Sequence, residues 1–100
     1  MTRISQLRIY TIQEGRLDEF VGGWRNGVVP LRRKHGFTVG AAWTSREKNR
    51  FVWILSYDGP ESWESKTKAY YESDERKAID PDPAKLITDQ MELFISPVSD

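Results

Sequence analysis

The segment Arg50–Tyr57 is apolar on both of the faces that a β-strand would present. Successive side chains of a strand point to opposite sides. Here the two sets are Phe51, Trp53, Leu55 and Tyr57 on one side, and Val52 and Ile54 on the other. A strand that is apolar on both sides belongs at the centre of a sheet whose two faces are both covered. The chain must therefore supply, or recruit, cover for two sheet faces.

The rest of the chain predicts three more strands and two main helices. The strands are expected over residues 7–12, 37–45 and 91–96, where apolar and polar residues alternate. An apolar stripe at helical spacing predicts a first helix from Leu17 to the stop at Gly36, with its last turn kinked by Pro30. A second helix is expected to begin at Pro60, and Ser73 is expected to cap a further short helical turn.

Two local patterns lead to further expectations. Regular alternation in the second strand places Val39 and Trp43 on the same face. The first helix contains Gly22, Gly23 and Gly27, each unfavourable in a helix interior. These glycines indicate either close packing of the helix backbone or room for a ligand beside Trp24, and the pattern alone leaves both open.

The order β-α-β-β-α-β predicts an α+β, ferredoxin-like fold for a single domain over residues 1–100. Right-handed crossovers place both helices on the same face of a four-stranded antiparallel sheet. The other face is then apolar and uncovered, and monomers rarely leave so large an apolar surface in water. We therefore expect a homodimer formed through the open sheet face.

Composition excludes several classes of site. The 100 residues contain 15 Lys and Arg against 15 Asp and Glu, so no net charge favours nucleic acid or anionic lipid. The chain has no cysteine and one histidine, which excludes thiolate chemistry and a site with several histidines from one chain. We expect no metal, no cofactor and no nucleic-acid partner.

The sequence also leads to an expectation about where in the cell the protein is found. No apolar run approaches the roughly 18 residues of a membrane-spanning helix. Residues 1–10 lack the apolar core of a secretory signal. We expect no membrane span and a cytoplasmic protein.

Four separated motifs make the chain resemble the NIPSNAP family. They are YTIQEGRLDEF (residues 10–20), VPLRRKHGF (29–37), NRFVWILSY (49–57) and AYYESDERKAIDPDP (69–83). One small departure is Asp74, where such domains often carry proline. The resemblance implies the dimeric α+β barrel and little about activity. Members of the wider fold include cofactor-independent monooxygenases, lactone isomerases and haem-degrading enzymes, and a shared fold does not transfer an activity.

Candidate catalytic groups are few. His35 is the only side chain that titrates near neutral pH unperturbed, and a tyrosine hydroxyl, with Tyr57 as the candidate, is the other group for moving a proton. Alternatively, His35 simply complements the end of the first helix. Haem chemistry is not expected, because the second helix has no histidine.

A ligand pocket is the second candidate site. Aromatic side chains between sheet and helices would line it, with an arginine to orient a carboxylate. The candidate residues are Trp24, Arg50, Trp53, Tyr70 and Arg76. Alternatively, Arg76 pairs with Asp80 or Asp82, and Arg50 is exposed at a hairpin edge. Two functions stay open: a small homodimer of unassigned role that binds an apolar or aromatic ligand, or a cofactor-independent monooxygenase or isomerase for an aromatic or lactone-like substrate.

Overall fold

A computed structural model of the chain describes residues 3–99. The first helical region, α1, passes without a break through three segments. In chain order the elements are β1 (Ile4–Ile12), α1 (Leu17–Gly23, Trp24–Val28 and Val29–Lys34), β2 (Thr38–Ser45), β3 (Arg50–Tyr57), α2 (Trp63–Glu72), α3 (Asp74–Lys77), a 3₁₀ turn (Pro83–Leu86) and β4 (Ile87–Ile95). The predicted order of strands and helices is confirmed.

The four strands form one antiparallel sheet in the order β2-β3-β1-β4. The two-sided strand β3 therefore lies inside the sheet, between β2 and β1, as its sequence predicts. In the register, Leu7 of β1 lies opposite Ile54 of β3 and Leu93 of β4. The ferredoxin-like arrangement of sheet and helices is confirmed.

The helices pack on one face of the sheet and form the core there. Burial of large apolar side chains between sheet and helices is the main favourable contribution to folding. The buried aromatic and aliphatic residues on this side are Tyr10, Ile12, Leu17, Phe20, Trp24, Val29, Leu31, Phe37, Phe51, Trp53, Leu55, Tyr57, Trp63, Tyr70 and Leu86.

The opposite side of the sheet, here called the open face, is also apolar. Residues opposite one another in an antiparallel pair share a face, so the register assigns its members. They are Leu7, Ile9, Trp43, Val52, Ile54, Met91, Leu93 and Ile95. Trp43 is 54% exposed and Met91 55% exposed, so this face carries large apolar side chains in contact with solvent.

Strand β2 differs from the expected regular alternation. Val39 pairs with Leu55 and Ala42 pairs with Trp53, so two residues of β2 stand opposite one residue of β3. This is the geometry of a β-bulge. The prediction that Val39 and Trp43 share a face is therefore wrong, because the bulge between them shifts Trp43 to the open face.

Helix α1 runs nearly as far as predicted. It continues through Pro30 to Lys34, and Gly36 follows with the positive φ of a left-handed stop. A π-helical turn over Trp24–Val28 lies ahead of the proline, whereas the sequence predicts a kink in the last turn. The N–H of Val29 donates to the carbonyl of Trp24, five residues earlier. Proline lacks an N–H and needs room at the preceding turn, and a π turn is a common way for a helix to adapt locally.

The glycines of α1 approach the segment that follows α3. A β-carbon added at Gly23 would lie 3.0 Å from Cβ of Pro83, and one at Gly27 would lie 3.3 Å from Cγ2 of Ile79. A β-carbon at Gly22 would meet nothing within 4 Å. The close-packing alternative therefore applies to Gly23 and Gly27, and their partner is residues 79–83.

Strand β4 is longer than its sequence indicates. It begins at Ile87 and pairs with β1 from Ser5 to Ile12, whereas the alternating pattern predicts only residues 91–96. Thr88, Asp89 and Gln90 are exposed polar residues. An edge strand tolerates such residues. Because they interrupt the alternation of apolar and polar residues, the sequence pattern does not show where β4 begins.

Candidate functional site

A cavity of about 250 Å³ lies between the helices α1, α2 and α3 and the strands β1 and β3. Its wall combines rings and guanidinium groups. The rings are Tyr10, Phe20, Trp24, Trp53, Tyr70 and Tyr71, and the guanidinium groups are those of Arg8, Arg32 and Arg76. The volume is just below the roughly 300–1,000 Å³ of pockets for drug-sized ligands. The size therefore suits a small organic molecule.

Four of the five candidate ligand residues meet in this cavity. They are Trp24, Trp53, Tyr70 and Arg76. Trp24 and Trp53 lie edge to face, with 5.5 Å between their ring centroids. Arg50 begins β3 opposite Thr11 and is exposed, away from the cavity. The geometry thus brings most of the predicted aromatic set together without Arg50.

The two candidate proton-transfer groups lie outside the cavity wall. His35 is half-buried beyond the end of α1 and packs edge-on against Tyr70, with 5.5 Å between centroids. The Tyr57 hydroxyl donates to the Glu61 carboxylate at 2.6 Å and accepts from the Glu61 N–H at 3.2 Å. Burial, and then this carboxylate, raise the pKa of Tyr57.

Arg8 projects from β1 toward the helices, and each of its three guanidinium nitrogens makes a hydrogen bond. It is 4% exposed. Its Nε donates to the Tyr10 hydroxyl at 2.7 Å, its Nη1 to Gln6 Oε1 at 2.6 Å, and its Nη2 to Glu92 Oε1 at 3.2 Å. Burial opposes its charge, but the nearby tyrosines and Glu92 leave the pKa of Arg8 raised. Arg8 is a buried cation that the protein itself compensates.

Arg76 is compensated in a similar way. Its Nη2 donates to Asp82 Oδ1 at 3.1 Å, one of the two pairings that the sequence indicates. Ser73 caps the short helix by accepting from the N–H of Arg76 at 3.1 Å, and its hydroxyl donates to the carbonyl of Tyr70. Although burial opposes it, the bond to Asp82 helps to raise the pKa of Arg76.

Arg32 is the contrasting case. It is 1% exposed, and its guanidinium carbon lies 3.7 Å from the centroid of Tyr70. Its Nη2 donates to the Tyr71 hydroxyl at 3.1 Å. In the described part of the chain, no carboxylate oxygen lies within 4.0 Å of this guanidinium. Burial lowers the pKa of Arg32, and the hydroxyls of Tyr71 and Tyr70 only partly oppose this effect.

Residues that line the cavity also carry buried donors without acceptors. Within residues 3–99, five lining side chains have buried nitrogen or oxygen atoms that make no hydrogen bond. These atoms are Trp24 Nε1, Arg32 Nε and Nη1, Trp53 Nε1, Tyr70 Oη and Arg76 Nε. Buried polar groups are normally satisfied, and each exception calls for an explanation. Their grouping around one cavity makes that cavity the candidate binding site.

The lining is poor in groups that accept protons. Its titratable members in the described part of the chain are arginines and tyrosines, and it includes no His, Asp or Glu. Burial raises the pKa of Tyr70, although Arg32 and Arg76 oppose the shift. Burial also raises the pKa of Tyr10, against the effect of Arg8. The arrangement is a set of fixed hydrogen-bond donors beside aromatic rings.

A second, larger groove of about 720 Å³ runs between α1 and residues 79–83, with Pro83 lining both it and the cavity. It lies over Gly23 and Gly27 and is more open to solvent. None of the unbonded buried atoms in the described residues belongs to its lining. We therefore assign the candidate site to the smaller cavity.

Sequence reasoning missed two of the three arginines. One sequence feature could have identified Arg8 as a site residue. It lies two residues before Tyr10, on the inward face of β1, where an apolar residue is expected. The signal for Arg32 is its spacing of four from Val28 and eight from Trp24, on the same helical stripe. A basic residue in the last turn of a helix is also explained by the helix dipole, and this explanation hid the second signal.

Two other kinds of site are absent from residues 3–99. No three His, Asp or Glu side chains there are grouped to hold a metal ion. In the same range, no helix combines the length and hydropathy needed to cross a membrane.

Comparison with solved structures identifies similar folds. An uncharacterized NIPSNAP domain protein from Burkholderia xenovorans has a TM-score of 0.81 at 17% identity, over 96% of this chain and 95% of that one. A NIPSNAP family protein from Agrobacterium tumefaciens has a TM-score of 0.84 at 15% identity, over 97% and 94%. A candidate antibiotic biosynthesis monooxygenase from Caulobacter crescentus scores 0.70 at 14% identity, over 97% and 91%. At these identities the likeness shows the fold and carries no activity.

Comparison of the sequence itself is more specific. No protein with a curated description matches the chain. The family profile described as NIPSNAP matches residues 5–100. Because that match covers nearly the whole chain, the protein belongs to the NIPSNAP family.

Proposed function

We propose that this protein is a homodimer that binds a small aromatic or apolar molecule in the cavity between sheet and helices. The observation that carries the proposal is the group of buried, unbonded donors around an aromatic-lined cavity. Ligand pockets are typically apolar, with a few polar groups that fix orientation. Trp24, Trp53 and Tyr70 supply the apolar surface and the indole and hydroxyl donors supply the orientation.

The ring geometry supports a planar guest. Trp24 packs edge to face against Phe51 at 4.9 Å and against Trp53 at 5.5 Å, measured between ring centroids. Such offset and edge-on contacts are favourable between aromatic groups. A planar ligand in the cavity would extend the same packing, while an acceptor atom on it would satisfy Trp24 Nε1 or Tyr70 Oη.

Binding can be tested with a panel of small aromatic compounds that includes acids, amides, alcohols and amines. Ligand-observed NMR detects binding, and tryptophan fluorescence responds through Trp24 and Trp53, with Trp43 and Trp63 contributing to the same signal. We expect at least one class of compound to bind and to change the fluorescence. Failure of every class to bind at millimolar concentration would contradict the proposed function.

A matched pair of variants locates the binding site. Val28 lines the cavity, whereas Val21, on the same helix and also half-buried, does not. Val28→Phe should fill the cavity and abolish binding, and Val21→Phe should preserve it. Melting temperatures of both variants, measured alongside, separate loss of the site from loss of the fold. Equal binding by both variants would place the ligand elsewhere.

The proposed homodimer forms through the open face. Trp43, Met91 and Leu93 are 54%, 55% and 47% exposed there, which is unusual for large apolar side chains on one contiguous surface. A second copy presents the same apolar surface, and a two-fold axis brings the two sheets face to face. The chain has no net charge, so two copies do not repel each other strongly.

Light scattering coupled to size exclusion tests the dimer. At micromolar concentration we expect twice the mass of one chain. A monomer across the accessible concentration range would overturn this part of the proposal and would leave the ligand site to be tested separately.

We also propose a cytoplasmic location. The sequence has no cysteine, so the chain needs no oxidising compartment for disulfides. Cell fractionation tests this assignment, and recovery of the protein in a secreted or membrane fraction would contradict it.

A further inference from the structure

The three arginines of the cavity differ in how their charges are balanced. Arg8 has Glu92 at 3.2 Å, and Arg76 has Asp82 at 3.1 Å. Arg32 has no carboxylate within 4.0 Å among residues 3–99. Three guanidinium groups against two carboxylates leave one positive charge. That charge is buried, because Arg32 is 1% exposed.

Contacts with aromatic rings offset only part of the free-energy cost of burying the charge of Arg32. The Tyr70 ring lies 3.7 Å from the guanidinium carbon, and the Phe37 ring lies at 4.8 Å. Cation–π contacts of this kind attract a buried cation. They do not supply acceptors for Nε and Nη1, which stay buried and unbonded. A buried charge without a partner is costly, so a ligand that supplies both charge and acceptors would be stabilised beside Arg32.

The chemistry of a ligand group that suits Arg32 follows from the residues around it. A carboxylate offers two coplanar acceptor oxygens that match two N–H groups of one guanidinium. Its single negative charge equals the charge left on the arginine set. A phosphate monoester carries about −1.5 to −2 near neutral pH, more than this set leaves uncompensated. The aromatic rings beside Arg32 then provide the surface for the apolar part of the same molecule.

We infer that the ligand of this cavity is a small aromatic carboxylate whose carboxylate group pairs with Arg32. The inference rests on the proposed ligand-binding function and specifies its ligand class. In this arrangement, Arg32 supplies the charge, and Trp24 Nε1 and Tyr70 Oη provide further donors for oxygen atoms on the ligand. Tyr71 holds the guanidinium in place by accepting a hydrogen bond from Nη2 at 3.1 Å.

The test compares probes of the same shape and different charge on the unmodified protein. Isothermal titration calorimetry is run with benzoate, benzamide, phenyl phosphate and inorganic phosphate. We expect benzoate to bind at least roughly tenfold more tightly than benzamide, since a charged hydrogen-bonded pair is involved. Benzamide binding as tightly as benzoate would overturn the carboxylate inference and leave the proposed function standing. Absence of binding by every aromatic probe would overturn both.

The phosphate probes address the alternative anion. Binding of inorganic phosphate as tightly as benzoate would show a general anion site and would overturn the inference of an aromatic carboxylate. Tighter binding of phenyl phosphate than of benzoate would likewise overturn the single-charge argument. We expect both phosphates to bind more weakly than benzoate.

Two variants test whether Arg32 is the residue that binds the carboxylate. Arg32→Gln removes the charge, and Arg33→Gln is the matched control, because Arg33 is the next residue on the same helix and is exposed. We expect Arg32→Gln to weaken benzoate binding at least roughly tenfold and to leave benzamide binding within about twofold, with Arg33→Gln unchanged for both. Benzoate binding that is equal in the two variants would overturn the assignment to Arg32. The comparison of benzoate with benzamide on the unmodified protein decides the ligand class even if Arg32→Gln does not fold.

Discussion

The guanidinium carbon of Arg32 lies 3.7 Å from the centre of the Tyr70 ring, and this contact joins α1 to α2 across the edge of the cavity. Tyr70 is 1% exposed, as is Arg32, so the pair is removed from solvent. A planar guanidinium stacks well on an aromatic face and is less strongly hydrated than an ammonium group. The ring therefore allows a positive charge to be held in the interior before any ligand arrives.

The contrast between Arg32 and Arg8 leads to a prediction about stability. Arg8→Met should lower the free energy of unfolding by about 2–4 kcal/mol, because Glu92 and Gln6 lose a buried partner. Arg32→Met removes a buried charge that has no carboxylate partner, so it should cost at least about 2 kcal/mol less. Urea unfolding of the two variants without ligand measures the difference. Equal losses would mean that Arg32 is compensated as well as Arg8.

The tyrosines predict how stability changes at alkaline pH. Burial raises the pKa of Tyr70 and of Tyr10 in the folded protein, while an unfolded tyrosine titrates near pH ~10. The folded state then favours the neutral hydroxyl, so this contribution to stability is fully present below about pH 10 and is lost as the pH rises through the folded pKa values. Urea midpoints measured across this pH range should fall above about pH 10.

The ultraviolet absorbance of ionised tyrosine tests whether Arg32 influences the pKa of Tyr70. Arg32 opposes the rise in the pKa of Tyr70, because a cation favours the ionised ring. Arg32→Met should therefore shift the ultraviolet titration of the folded protein to higher pH, and the shift should be smaller when Tyr70→Phe is also present. An unchanged titration in Arg32→Met would contradict the coupling between the two side chains.

The global fold could be predicted from strand β3 and the order of elements. Because Val52 and Ile54 make the second face of β3 apolar, the strand had to lie inside the sheet, and it lies between β2 and β1. Two crossovers of fixed handedness then place the helices together. These features follow from periodicity and chain topology, which the sequence shows directly.

The local departures could not be predicted, because each one depends on a neighbour that is distant in sequence. The β2 bulge is fixed by pairing with β3, where a β-carbon on Gly40 would lie 3.3 Å from the carbonyl oxygen of Ile54. The burial of Arg32 depends on Tyr70 from another helix. An arginine near a helix end looks the same in sequence whether it points to solvent or to a ring.

Neighbouring glycines in α1 make a matched test of close packing. Gly22→Ala should raise the free energy of unfolding by about 0.5–1 kcal/mol, because alanine favours the helix and nothing lies within 4 Å of the new β-carbon. Gly23→Ala brings the same helical preference but places the β-carbon 3.0 Å from Pro83. It should therefore be less stable than Gly22→Ala by about 1 kcal/mol or more. Equal stability of the two variants in thermal unfolding would show that residues 79–83 yield easily.

Adjacent residues of β4 provide the sharpest test of the dimer. Leu93 is on the open face and 47% exposed, whereas Phe94, on the other side of the strand, is 61% exposed and packs edge-on against Trp63 at 5.5 Å. An aspartate buried between two sheets is strongly unfavourable, so Leu93→Asp should give a monomer that remains folded. Phe94→Asp introduces the same charge one residue along and should remain a dimer, with a modest loss of stability from the contact with Trp63. Light scattering gives the mass and circular dichroism reports the fold. If Leu93→Asp stays dimeric while Phe94→Asp becomes monomeric, the interface lies on the helix side of the strand and the open face is not where the copies meet.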